Sequence, residues 1–139
     1  MEVVRRIYAA MDLRLPGSIG RVNMPPESSK ELIDPEIEWQ GPREFPDLAE
    51  TVHGYEGIAR YAAKIAEAFN GYRMVPERFI DAGDHVVVFA RERGRGKGSG
   101  AEVQTQLTAH LWTLKNGKAL RMQSYWDRGD ALEAVGLRE

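Results

Sequence analysis

Asn116-Gly117 stands between two strand-like runs, about Val103 to Leu114 and Ala119 to Trp126. This dipeptide is the strongest short-range hairpin signal in the chain. The tightest hairpin turn needs positive φ at both central residues, which Asn and Gly adopt at least cost. The pair therefore commits the end of the chain to antiparallel pairing. Upstream, the Val-rich run His85 to Arg91 follows a turn at Asp81-Ala82-Gly83-Asp84, which Phe79-Ile80 leads into. Everything after residue 71 reads as strand.

The first half reads differently. Val3, Ile7 and Met11, with Val4 and Tyr8 beside them, recur at helical spacing, so residues 2 to 13 form an amphipathic helix ended by Pro16-Gly17. Residues 16 to 27 are an irregular excursion, and Ser28 or Ser29 caps a short turn through Leu32-Ile33. Ile37-Glu38-Trp39 is a brief strand closed by Gly41-Pro42, and residues 40 to 54 are a long loop. From Gly57, the set Ile58, Tyr61, Ala62, Ile65 and Phe69 marks a second long helix, stopped by Asn70-Gly71. Helices followed by an antiparallel meander make an α+β domain in which a curved sheet wraps over the helices.

The chain of 139 residues is long enough for a single core and is expected to be one domain, 1–139. A net charge of -2 argues against a nucleic-acid partner. The absence of Cys removes disulfides, thiolate metal sites and cysteine nucleophiles. No run resembles a signal peptide or nears transmembrane length, so the expectation is a cytoplasmic protein without a membrane partner.

The glycine-rich stretch from Gly94 to Gly100 invites a phosphate-loop reading, which its spacing defeats. Gly98 follows Lys97 where Ser or Thr is needed, and no helix follows. It reads as the tip of a hairpin. His53, His85 and His110 show no metal-pair spacing, so no metal or cofactor is expected. His110 is distinct, because it sits mid-strand near Trp112, where an unneeded imidazole is costly to bury. It is either a hydrogen-bonded structural residue or a catalytic one. Trp39, Tyr61, Phe69, Trp112, Tyr125 and Trp126 pack a core or, if the sheet curves into a cone, line a pocket for a small apolar molecule. Arg91, at the end of a Val-rich strand, is either a solvated partner of Glu92 or Glu102 or a clamp facing that pocket.

The order of elements, Val52-His53-Gly54-Tyr55-Glu56-Gly57-Ile58 before the second helix, and the ending Asn116-Gly117-Lys118, Tyr125-Trp126-Asp127-Arg128, Ala131-Leu132-Glu133-Ala134 resemble the SnoaL-like branch of the nuclear transport factor 2-like superfamily. The resemblance covers nearly the whole chain. It implies a cone-shaped, curved antiparallel sheet packed on N-terminal helices, a pocket between them, and a homodimer formed through the outer sheet face. The family includes polyketide cyclases and ketosteroid isomerases, and also non-catalytic binding domains, so the fold alone does not fix function.

In SnoaL-type cyclases an Asp nine residues past the hairpin Lys acts as acid/base, and counting from Lys118 reaches Asp127. In ketosteroid isomerases the base falls at Trp39, the oxyanion-stabilising acid at about His110, and the helix-one tyrosine near Ile7 or Tyr8. A Trp abstracts no proton, so a standard steroid isomerase is rejected. Asp127 also fits as the N-cap of the last helix, a role that favours its ionised form, whereas a general base needs partial burial.

Two registers remain open at the hairpin. A two-residue turn places His110 opposite Gln123, with Asp127 on its side. A turn with a bulge places His110 with Met122, Ser124 and Trp126, and points Asp127 away. The expected function is a pocket protein for a small apolar molecule. It is either an isomerase- or cyclase-type enzyme using Asp127 and His110 on a carbonyl compound, or a non-catalytic binding or dimer-forming accessory domain.

Overall fold

The computed structural model describes residues 2–10, 31–43 and 49–137. The expected irregular stretch at 16 to 27 and the cap at Ser28 or Ser29 lie outside them.

Helix α1 spans Glu2–Ala10 and buries Val4, Ile7 and Tyr8, the i, i+3, i+4 face of one stripe. Strand β1 (Ile33–Gln40) starts earlier than its apolar centre suggested, and β2 (Thr51–His53) takes up the end of what reads as a long loop. Trp39 pairs with Val52 across these two strands.

Helix α2 runs Gly54–Ala68, three residues further toward the N-terminus than expected, and buries Tyr61, Ala62 and Ile65. The motif from Val52 to Ile58 has a steric basis here. Gly54 has φ +69, and a Cβ on Gly57 would lie 3.0 Å from Val52 Cβ, so any larger residue there would push the helix and β2 apart by a few tenths of an ångström. The helix ends at Ala68, and the backbone of Phe69 is already extended at φ -136. Phe69, Asn70 and Gly71 open a strand instead of closing a helix.

That strand starts three residues before the stretch that reads as strand in sequence. Strand β3 covers Phe69–Ala82 and pairs antiparallel with β4 (His85–Gly96). Its register slips between Pro76 and Arg78, where proline offers no N–H to the ladder. The third expected strand is two strands, β5 (Glu102–Gln104) on β4 and β6 (Thr108–Lys115). Strand β7 (Lys118–Tyr125) and helix α3 (Arg128–Ala134) follow. The glycine-rich stretch is the tip of the β4–β5 hairpin, closed by Gly96 N–H donating to Ala101 O at 3.0 Å.

Among the described residues seven strands form one curved, unclosed sheet in the order β2-β1-β7-β6-β4-β3, with β5 on β4. The α+β cone is as expected. One pairing, β1 with β7, is parallel, so the sheet is mixed.

Alternation along β4 splits the apolar residues between two faces. Val86, Val88 and Ala90 join Trp39, Trp112, Met122 and the faces of α1 and α2 in the inner core. Val87 and Phe89 join Ala109, Leu111 and α3's Ala131 and Leu132 on the outer side. No helix among the described residues is long and apolar enough to cross a membrane.

Candidate functional site

The hairpin decides which side chains share the inner face, and it starts in the first expected register and leaves it at a bulge inside β7 instead of at the turn. Asn116 (φ 53) and Gly117 (φ 77) make a two-residue turn, and Lys115 pairs with Lys118. Between Thr113 and Leu114 the register then shifts, because Ala119 pairs with Leu114 but Arg121 pairs with Thr113. Leu120 is the extra residue of a β-bulge. Beyond it His110 lies opposite Ser124, and Trp112 opposite Met122. The faces are therefore those of the bulged alternative.

His110 is sealed inside the cone at 1% exposure. Tyr8, reaching from α1, lies 2.5 Å from its Nδ1, and Trp112 Nε1–H donates to the Tyr8 hydroxyl at 3.1 Å. Indole is a donor only, so the Tyr8 oxygen accepts from Trp112 and its own proton is left to point at His110. Nδ1 is then an acceptor, which assigns the ring proton to Nε2. That Nε2 is 3.5 Å from Glu92 Oε1. The separation is within ion-pair range, but the geometry meets no hydrogen-bond criterion, so Nε2 is a buried donor without a partner.

Glu92 is the residue that sequence reasoning missed as a site. It reads there only as a surface partner for Arg91. Alternation carried two residues beyond Ala90 puts it on the inner face, and that signal was available in Val86-x-Val88-x-Ala90-x-Glu92. Its backbone is tied at both ends to Thr105. The Glu92 N–H donates to Thr105 Oγ1 at 2.9 Å, and Thr105 N–H donates to Glu92 O at 2.9 Å. This double attachment falls where the chain breaks between β5 and β6, so the break serves to fix Glu92.

Glu92 borders a cavity of about 190 Å³ between α2 and the sheet. Pro42, Tyr61, Ile65, Phe69 and Tyr72 supply most of the wall, and Val103 and Thr105 border it from β5. The volume is below the roughly 300–1,000 Å³ typical of drug-sized ligand sites.

Three buried phenols surround the carboxylate. Tyr72 is pushed well above its ordinary value by burial first and then by the charge of Glu92. Tyr61 is raised by burial and then by Glu92. Tyr8 is raised by burial, with the Trp112 hydrogen bond opposing and Glu92 adding. All three stay protonated donors at any physiological pH.

The expected site residues separate into three groups. Tyr61 and Phe69 line the cavity. Trp39 and Trp112 stand behind it as closed core, 1% and 0% exposed, with ring centroids 5.5 Å apart in an edge-on arrangement. The rest lie elsewhere. Arg91 pairs with Glu77 at 2.7 Å, a different acid from the two expected, and alternates away from Glu92. Tyr125 packs with the outer cluster. Trp126 follows the last strand, and its carbonyl accepts from Gln106 Nε2 at 2.9 Å.

Asp127 is exposed, and its Oδ1 accepts from Gly129 N–H at 2.7 Å as the N-cap of α3. That helix packs on the outer cluster, so the sheet stands between Asp127 and His110. A joint site of these two is not formed. Among the described residues no group of three or more His, Asp or Glu is gathered to hold a metal ion.

A family model described as a SnoaL-like domain matches residues 4–122. No curated protein matches the chain. Among solved structures, TerC co-crystallised with polyporic acid is 26% identical, with a TM-score of 0.72, covering 96% of this chain and 95% of its own. A candidate SnoaL-like polyketide cyclase from Jannaschia sp. CCS1 is 24% identical, with a TM-score of 0.68, covering 88% and 81%. A protein of ketosteroid isomerase-like fold from Catenulispora acidiphila, in complex with trimethylamine, is 19% identical, with a TM-score of 0.66, covering 94% and 92%.

Proposed function

The chain belongs to the SnoaL-like domain family, and from that premise we propose that its cavity takes a small, mostly apolar carbonyl compound on which Glu92 acts as the proton-transferring base. One observation carries this reading. Among the described residues one carboxylate borders the cavity, its backbone pinned by Thr105 and its Oε1 3.5 Å from His110 Nε2. A base so placed meets little competing water, and its backbone attachments spare it reorganisation in the transition state.

Glu92 would take a proton from the carbon next to the carbonyl. His110, held in one tautomer by Tyr8 and Trp112, would steady the carboxylate from behind. Tyr72, which burial keeps protonated and whose hydroxyl interacts with Glu92, would hold that carboxylate in place. The catalytic role suggested for Asp127 passes to Glu92, since Asp127 caps a helix on the far side of the sheet. The small molecules held by TerC and by the Catenulispora protein agree with a ligand-holding cavity.

The test is proton exchange. Small cyclic ketones that raise the melting temperature are incubated with the protein in D2O, and deuterium at the α-carbon is followed by NMR. The protein accelerates exchange and Glu92→Gln does not. Equal exchange by both proteins would remove Glu92 as the base.

A second reading, a non-catalytic binding or accessory domain, is favoured by Trp39 at the position where isomerases carry their base. It predicts stabilisation by the same compounds with no exchange above buffer. A homodimer belongs to either reading, and light scattering that returns 15.6 kDa in place of twice that mass would overturn it.

A further inference from the structure

Arg73 on β3 and Arg93 on β4 are direct cross-strand partners, and Gln104 on β5 is the next residue in the same row. Alternation puts this row on the outer face. Tyr72 and Met74 on one strand, and Glu92 on the next, point to the inner core or the cavity, so the residues between them point away. Arg93 also borders the cavity, so the row stands directly behind the wall that carries Glu92.

Two like charges directly opposite in an antiparallel pair repel each other. A counter-charge normally relieves this. Glu77 is engaged by Arg91 at 2.7 Å, Glu92 faces the interior, and Glu102 lies opposite Arg95 in the neighbouring row. Among the described residues neither Arg73 nor Arg93 forms an ion pair. The Nε atoms of both are closed off from water and have no hydrogen-bond partner. A donor shut away without an acceptor is costly, and here two of them sit side by side on cationic groups.

We infer that the Arg73–Arg93–Gln104 row binds a dianionic oxyanion of the phosphate type. Two guanidinium groups and one amide share one face, and a dianion matches two positive charges that form no ion pair among the described residues, where a chloride or single carboxylate does not. The occupant is inorganic phosphate or the phosphate of a small ester, which use the same contacts.

The test uses the whole protein in chloride buffer at constant ionic strength, titrated with inorganic phosphate and, separately, with a phosphate monoester. Melting temperature, calorimetric binding and molecular mass are read together. Phosphate raises the melting temperature saturably. Arg73→Gln and Arg93→Gln each weaken binding by about tenfold or more, the scale of one charged hydrogen-bond pair, while Arg95→Gln leaves it intact. Without phosphate the two Gln variants melt no lower than the parent, because each relieves the repulsion. Arg93→Lys keeps the charge, loses the fork and weakens binding, which guards against a variant that fails to fold.

Three outcomes overturn the assignment. One is equal stabilisation by phosphate in parent and variants. Another is a Gln variant that is destabilised without phosphate. The third is a variant whose only change is in molecular mass, which would make the row a contact for acidic side chains of a second copy.

Discussion

At Tyr8 one hydroxyl satisfies two inner-core groups at once, accepting from Trp112 and lying 2.5 Å from His110 Nδ1. Tyr8→Phe leaves the indole without an acceptor and the imidazole without a donor. Orphaned buried polar groups cost about 1–3 kcal/mol each. The variant should therefore lose stability of at least that order in urea unfolding, and lose tautomer control at His110. Nitrogen-15 shifts of the His110 ring report the second effect, and a ring that keeps its Nε2–H form in Tyr8→Phe would show that Tyr8 does not set it. Glu92 was hard to find for a related reason. Its type and its neighbour Arg91 suggest a surface ion pair, and only the alternation of the strand before it points inward. Thr105, which pins it, gives no sequence signal, because its role arises from a pairing interrupted between β5 and β6.

Among the elements, α3 shows how a local signal can be read correctly while its function is misjudged. Asp127 caps the helix as the sequence suggests, and Gly136 (φ 76) ends it, with Leu137 N–H donating to Leu132 O at 2.8 Å. Asp127→Ala should cost about 1 kcal/mol of stability, the usual effect of losing a cap, and leave ligand stabilisation unchanged. A loss of ligand response without a loss of stability would reinstate Asp127 as a site residue. The Asn-Gly hairpin and the two long helices were legible because turn chemistry and a 3.6-residue period are local properties. The start of β3 was not, since Phe69 fits the helical period and Asn70-Gly71 reads as a helix stop, whereas pairing with β4 carries the strand back to Phe69.

For the whole molecule, the three buried phenols tie stability to alkaline pH. The pKa values of Tyr8, Tyr61 and Tyr72 are raised above the ordinary 10.0 in the folded state, chiefly by burial. Below that value both folded and unfolded chains keep these protons, and the three groups add no pH dependence. Above it the unfolded chain gives up protons that the folded chain retains, so stability falls as pH rises. The slope approaches about 1.4 kcal/mol per pH unit for each group. Urea unfolding between pH 8 and 11 measures it, and tyrosinate absorbance should show these three residues ionising only as the chain unfolds. Their ionisation in the folded protein near pH 10 would contradict the burial. The inner core, the outer cluster and the α+β arrangement follow from apolar spacing, whereas the cavity arises from elements far apart in sequence, which no single window contains.

The extra residue at Leu120 sets the phase of the sheet. Before it β7 runs in step with the turn, and after it every side chain has exchanged sides. One residue therefore determines which half of Met122 to Tyr125 belongs to the inside. Its deletion would be a frameshift in space, keeping the composition but turning Met122 outward and Gln123 and Tyr125 toward His110. Such a variant should collapse without the cooperative unfolding of the parent, a loss that side-chain replacement at the same position would not produce. In this fold the length of one strand, counted in single residues, is as much a part of the site as the residues that line it.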